Sequence, residues 1–184
     1  VGRLVACLSG CALLLAACGG GPAPSAGGGS RPSVKRVPLP AGPLPAHVTK
    51  MVCDGESRRK IARVLGIGAD VPPPTWQRRA HLYDCDFEYP TGRMVLTVKE
   101  LSSWQETFSY FRGLARRYGR IDTLGNLGQG AFVTRGGSVV VRKDWKVLLV
   151  DVSGLPKEIG SPPTTPAGVA YSVAALILGC WAGD

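Results

Sequence analysis

Histidine is nearly absent from this chain: there are two, His47 and His81, and neither stands at a metal-ligand spacing. His81 and Asp84 form a loop-end pair with no nucleophile motif beside them, so neither a zinc centre nor a charge relay has support. Acidic residues are scarce as well, 13 against 22 lysines and arginines, which leaves a formal charge of +9. The longest apolar run near the start, Leu4 to Ala17, falls short of the roughly 20 residues that span a bilayer. Glycine-rich stretches are present, but Gly66-Ile67-Gly68 and Gly125-Asn126-Leu127-Gly128-Gln129-Gly130 lack the strand-then-helix setting of a phosphate-binding loop. Both read as turns. Neither a cofactor nor a metal is expected.

What is present begins at the N-terminus. Arg3, a short apolar core and Leu15-Ala16-Ala17-Cys18 form a lipobox, predicting a lipoprotein signal peptide over residues 1–17. The Cys18 thiol is then the nucleophile that takes a diacylglyceryl group, and cleavage leaves Cys18 as the new N-terminus. A single acyl chain binds only marginally, so a diacylglyceryl group with a further N-acyl chain such as palmitate makes attachment lasting. This reading places the protein on the extracytoplasmic face of the cell membrane, held by lipid. Cys7 and Cys11 leave with the signal peptide. Residues 18–46, rich in glycine and proline, predict a tether, and 47–184 a single extracytoplasmic domain. Outside the membrane the counter-charges for a basic surface are anionic headgroups and wall polymers, and no nucleic acid partner is expected.

Within the domain, Asp54 caps a helix ending at Leu65-Gly66, with Ile61, Val64 and Leu65 on one face and Arg58, Arg59, Lys60 and Arg63 on the other. Tyr83, Cys85, Phe87 and Tyr89 alternate with Asp84, Asp86 and Glu88, as a half-buried strand does. A turn at Pro90 to Arg93 returns a second strand over 94–99. Ser103-Trp104-Gln105-Glu106 is a capping box. Behind it Trp104, Phe108, Phe111, Ala115 and Tyr118 recur at helical spacing and predict an aromatic face packed in the core. Strands over 131–134, 138–142 and 146–153 follow as an antiparallel meander. Thr165 with Pro166 opens a last, uncharged helix to about Trp181, read as buried rather than membrane-inserted. The fold class is α+β: an antiparallel β-sheet flanked by helices.

Two groups of side chains are candidates for chemistry. In an oxidising compartment Cys53, Cys85 and Cys180 predict one disulfide and one free thiol. Cys53–Cys85 would staple the first helix to a strand, and Cys53–Cys180 is its rival. Asp84, Asp86 and Glu88 share one strand face and could gather oxygen ligands for a hard cation. A strand offers no wrap-around loop, however, and a solvated or salt-bridged face is the expectation.

Cys53-Asp54 with Val64-Leu65-Gly66, then Cys85-Asp86-Phe87, then Leu127 to Phe132 before Val139-Val140-Val141-Arg142-Lys143 and 148–152, form a recognisable arrangement. It resembles the actinobacterial small lipoproteins with an uncharacterised extracytoplasmic domain, themselves similar to the outer sensor modules of mycobacterial membrane kinases. At Gly128-Gln129-Gly130-Ala131 the chain departs from the Gly-Asp-Ala usual there. The resemblance implies an antiparallel sheet with flanking helices and brings no catalytic residues. The expected function is that of a membrane-anchored envelope lipoprotein, not an enzyme, which binds or senses a small ligand, a wall polymer or an envelope protein. One alternative is an accessory subunit docking on a membrane complex or wall polymer through its basic helices, Arg58 to Arg63 and Arg112 to Arg120. The other is a metal-dependent or acid/base hydrolase using Asp84, Asp86 and Glu88.

Overall fold

The computed structural model describes residues 38–181. Residues 1–37, on which the expected signal peptide, the Cys18 lipidation site and most of the expected tether fall, lie outside that range. Seven antiparallel strands form one sheet in the order β1-β2-β3-β7-β6-β5-β4, with four α-helices around it. The elements are α1 (His47–Lys50), α2 (Gly55–Leu65), β1 (Thr75–Gln77), β2 (Leu82–Tyr89), β3 (Gly92–Glu100) and α3 (Trp104–Tyr118). They continue as β4 (Arg120–Leu124), β5 (Ala131–Thr134), β6 (Val139–Lys143), β7 (Lys146–Gly154) and α4 (Pro166–Cys180). This is the α+β architecture that the alternating and helical patterns imply. Among the described residues no helix is long and apolar enough to cross a membrane.

Each long helix starts where a polar side chain can accept an orphan backbone N–H. Asp54 accepts from Ser57, Ser103 from Glu106 and Thr165 from Gly168. Gly66 closes α2 in the left-handed region at φ 66°, a conformation that glycine adopts without strain. A Cβ there would lie 2.1 Å from the Ser161 carbonyl oxygen, so glycine is also needed for the loop after β7 to approach. Two edge strands have no counterpart in the sequence reading. β1 is three residues long, and β4 is exposed along most of its length, so neither shows a buried–exposed alternation to read.

The strand pleat divides the side chains between two cores. On one face Cys85, Phe87, Met94, Leu96, Val98, Val139, Val141, Leu148 and Val150 pack with α2 and α4. Helix α4 lies close because Ala170 and Ala174 share its buried face with Val169, Val173 and Ile177. On the other face Phe132, Val140, Val147 and Leu149 meet Leu114 of α3. Cys53, in a short 3-10 turn before α2, is bonded to Cys85 of β2 across a Cα separation of 5.7 Å. That is the helix-to-sheet staple, and Cys180 is the free thiol.

The last part of the expected tether is attached to the domain. The Ala41 N–H donates to the Leu101 carbonyl at 3.1 Å, Trp76 Nε1 to the Pro43 carbonyl at 3.1 Å, and the Ala46 N–H to Glu100 Oε1 at 2.7 Å. Glu100 is buried, so this last bond satisfies a carboxylate that would otherwise be costly.

Candidate functional site

The acidic strand face is occupied by its own neighbours. Asp84 accepts from Thr97 Oγ1 at 2.7 Å through one oxygen and from Gln77 Nε2 at 3.0 Å through the other. Asp86 is 3.6 Å from the Arg93 guanidinium, and Glu88 is exposed. Among the described residues no three His, Cys, Asp or Glu side chains converge as a metal site. His47 lies in α1 and His81 beside Trp76, with ring centroids 5.9 Å apart, so the two histidines share no site.

The aromatic stripe of α3 is only partly core. Thr107 and Leu114 are the buried positions, and Phe111 meets Phe132 edge-on at 5.0 Å between centroids. Trp104 and Phe108 are 38% and 40% exposed, which corrects the expectation that the whole stripe is buried. The inward line of the helix runs through 107, 111 and 114, about 100° per residue around the axis, so 104 and 108 fall on its flank. The Arg142 guanidinium stacks over the Phe108 ring at 4.2 Å, and its pKa is lowered by burial. From Phe108 the same flank continues through Arg112 and Arg116 at four-residue steps. Arg112, Arg116 and Arg120 border a shallow cleft of about 480 Å³.

A second concavity lies on the opposite face of the sheet, beside α2. Ile61 and Leu65 turn inward and anchor the helix, which leaves Arg58 and Arg59 at its outer margin. Arg58 Nε donates to the Cys53 carbonyl at 2.7 Å, so the disulfide-bearing turn fixes that side chain at its base. Between α2 and 68–71 a cleft of about 210 Å³ is lined by Ile61, Ala62, Val71, Phe87 and Tyr89. It adjoins a wider one of about 450 Å³, bounded by Pro90, Glu158 and Pro163, and Gly68 lines both. A Cβ at Gly68 would meet nothing within 4 Å. The Tyr89 hydroxyl is buried and has no hydrogen-bond partner, and burial pushes its pKa up to about 12. It therefore stays protonated, a donor beside an otherwise apolar wall.

The sequence reading named both basic helices but not this cleft. Tyr89 belongs to the alternating pattern of β2, and nothing in that pattern distinguishes a wall residue from a core one. Cys180 stands 3.3 Å from Lys60, and that lysine, also paired with Glu56, has its pKa raised by the two partners. No protein-family model matches this chain, and neither curated proteins nor solved structures give a match.

Proposed function

We propose that the chain is a membrane-anchored envelope lipoprotein whose domain binds or senses a ligand without transforming it, and that the cleft beside α2 is the ligand site. The carrying observation is the Tyr89 hydroxyl. A buried donor without a partner is unfavourable by about 1–3 kcal/mol, and the residue that carries this one lines a concavity with two arginines at its margin. A ligand with an apolar body and an acceptor or anionic group answers all three features. The lipobox at Leu15-Ala16-Ala17-Cys18 and the resemblance to actinobacterial lipoproteins support the anchor. The hydrolase alternative is weaker, because Asp84 already accepts two hydrogen bonds and Asp86 faces Arg93.

The test is an NMR titration of the domain with a panel of small carboxylates and phosphate esters. Saturable shifts confined to α2, 67–71 and 87–89 are expected, lost on Tyr89→Phe. A panel that leaves those residues unmoved, or a Tyr89→Phe protein that binds equally, contradicts the assignment. Calorimetry with Ca²⁺ and Zn²⁺ addresses the hydrolase alternative, for which heat lost on Asp84→Asn would be required.

A further inference from the structure

We infer that the outward flank of α3 docks on an anionic phospholipid bilayer. The inference rests on the anchored reading for its biological setting, but its physical argument is independent of Cys18.

The first observation is that three of the exposed large apolar side chains lie on α3 and on the segment that reaches its start. Ala41 is hydrogen-bonded to Leu101, three residues before α3 begins, so the segment around Ala41 lies beside the start of that helix. Leu39 on that segment is 63% exposed, and Trp104 and Phe108 on the helix are also exposed. Trp145, itself half-buried, sets its ring edge-on to Trp104 at 6.4 Å.

Trp145 is held with φ at 57°, in a tight β6–β7 turn where Asp144 is also left-handed. A bulky side chain in that region is strained. Its indole N–H is buried without a partner. Glycine or asparagine would serve such a turn better, so the tryptophan is not explained by the turn alone. What it adds is a half-buried aromatic ring packed edge-on against Trp104.

The second observation is charge. Arg112, Arg116, Arg117 and Arg120 follow the aromatic end, three of them around the 480 Å³ cleft. The single acidic residue of α3, Glu106, accepts from the Ser102 N–H at 2.9 Å within the capping box. Beneath this flank Phe111 on Phe132 and Leu114 fill the seam with the sheet, so the flank is a surface to be covered, not the mouth of an enclosed site.

Tryptophan and phenylalanine settle at the headgroup–acyl boundary, and arginines there attract anionic lipid and bind phosphate bidentately. Leu39 stands 21 residues after Cys18, a separation that even fully extended reaches at most roughly 75 Å. A lipid at Cys18 therefore keeps this flank within reach of the bilayer it would dock on.

The experiment uses residues 35–184, which contain both cores and none of the lipobox. Sedimentation with vesicles containing phosphatidylglycerol is compared with phosphatidylcholine alone, while tryptophan fluorescence is followed. Preferential partition into the anionic vesicles by about tenfold or more is expected, weakening with salt and accompanied by a blue shift. Arg112→Gln with Arg116→Gln should lower partition about tenfold. Trp104→Ser with Phe108→Ser should remove most of the blue shift, and an unchanged circular dichroism spectrum shows that the fold is kept. Equal partition into the two vesicle types overturns the proposal, as does undiminished binding by the arginine variant. Tight binding to inorganic polyphosphate without preference for anionic vesicles also overturns it, in favour of a soluble polyanion. Lipid labelling of the full chain, compared with Cys18→Ala, tests the anchor by itself, so failure of either claim is distinguishable.

Discussion

On the α2–α4 side of the sheet, Phe87, Met94, Leu96 and Val98 run without a break into Val139, Val141, Leu148 and Val150. On the α3 side the apolar surface ends at Val147 and Leu149 and gives way to Asp84, Thr97 and Lys99. The first side spans both halves of the sheet and is stapled by Cys53–Cys85. The second covers only the β5–β6–β7 half. The consequence is a division of labour. Stability resides mainly on the continuous face, which leaves the outer flank of α3 free to carry exposed aromatics at little cost to the fold.

The sharpest way to break this comparison is to weaken the continuous face. Cys53→Ala with Cys85→Ala removes a cross-link 32 residues apart and should reduce stability by about 2–5 kcal/mol in denaturant unfolding. Phe87→Ala should lose a similar amount, about 3–5 kcal/mol, by leaving a cavity under α2. A loss below 1 kcal/mol for both would mean that this face is not where stability lies.

Alkali offers a second probe of the same face. The Tyr89 phenol titrates at about 12 when folded against an ordinary 10.0, because burial disfavours the phenolate. The unfolded chain therefore releases its proton first, and stability is unaffected below pH 10 and falls between pH 10 and 12. The loss should reach roughly 2–3 kcal/mol. Tyr89→Phe should reduce that slope, leaving the part due to Tyr83 and Tyr110, whose phenols burial also pushes up, and by deleting an unpartnered hydroxyl it should raise stability at neutral pH by about 1 kcal/mol. Urea unfolding at several pH values checks both.

The α3 side should respond more weakly. Ser103→Ala removes the helix cap and should cost about 1 kcal/mol. Trp104→Ser and Arg112→Gln should each change stability by no more than about 0.5 kcal/mol. If Trp104→Ser were as damaging as Phe87→Ala, the exposed flank would be a structural element and the comparison would fail.

Much of this architecture was legible because local signals agreed with tertiary demand. The alternation from Tyr83 to Tyr89, the three caps at Asp54, Ser103 and Thr165, and the uncharged, buried last helix each appear where the sequence implies. The sequence favours Cys53–Cys85, with one cysteine before a helix and the other in mid-strand, but leaves Cys53–Cys180 open, and the fold decides between them. Edge strands β1 and β4 were not legible, because an exposed edge needs no hydrophobic alternation. The face of α3 was misread for a different reason. Helical spacing shows that Trp104, Phe108, Phe111 and Tyr118 lie near one another, but not how the helix is rolled on the sheet. That roll is set by Phe132 and Leu149 beneath, residues from strands later in the chain. The α2 cleft was illegible because it depends on how the 66–71 segment lies against the edge of β2, seen in the antiparallel Asp70–Glu88 bridge.

Hydrogen exchange on residues 35–184, with and without phosphatidylglycerol vesicles, tests the division of labour most directly. The account predicts added protection over 39–45 and along α3, with α2 and 66–71 unchanged. Protection centred on α2 and its cleft, with α3 unaffected, would contradict it.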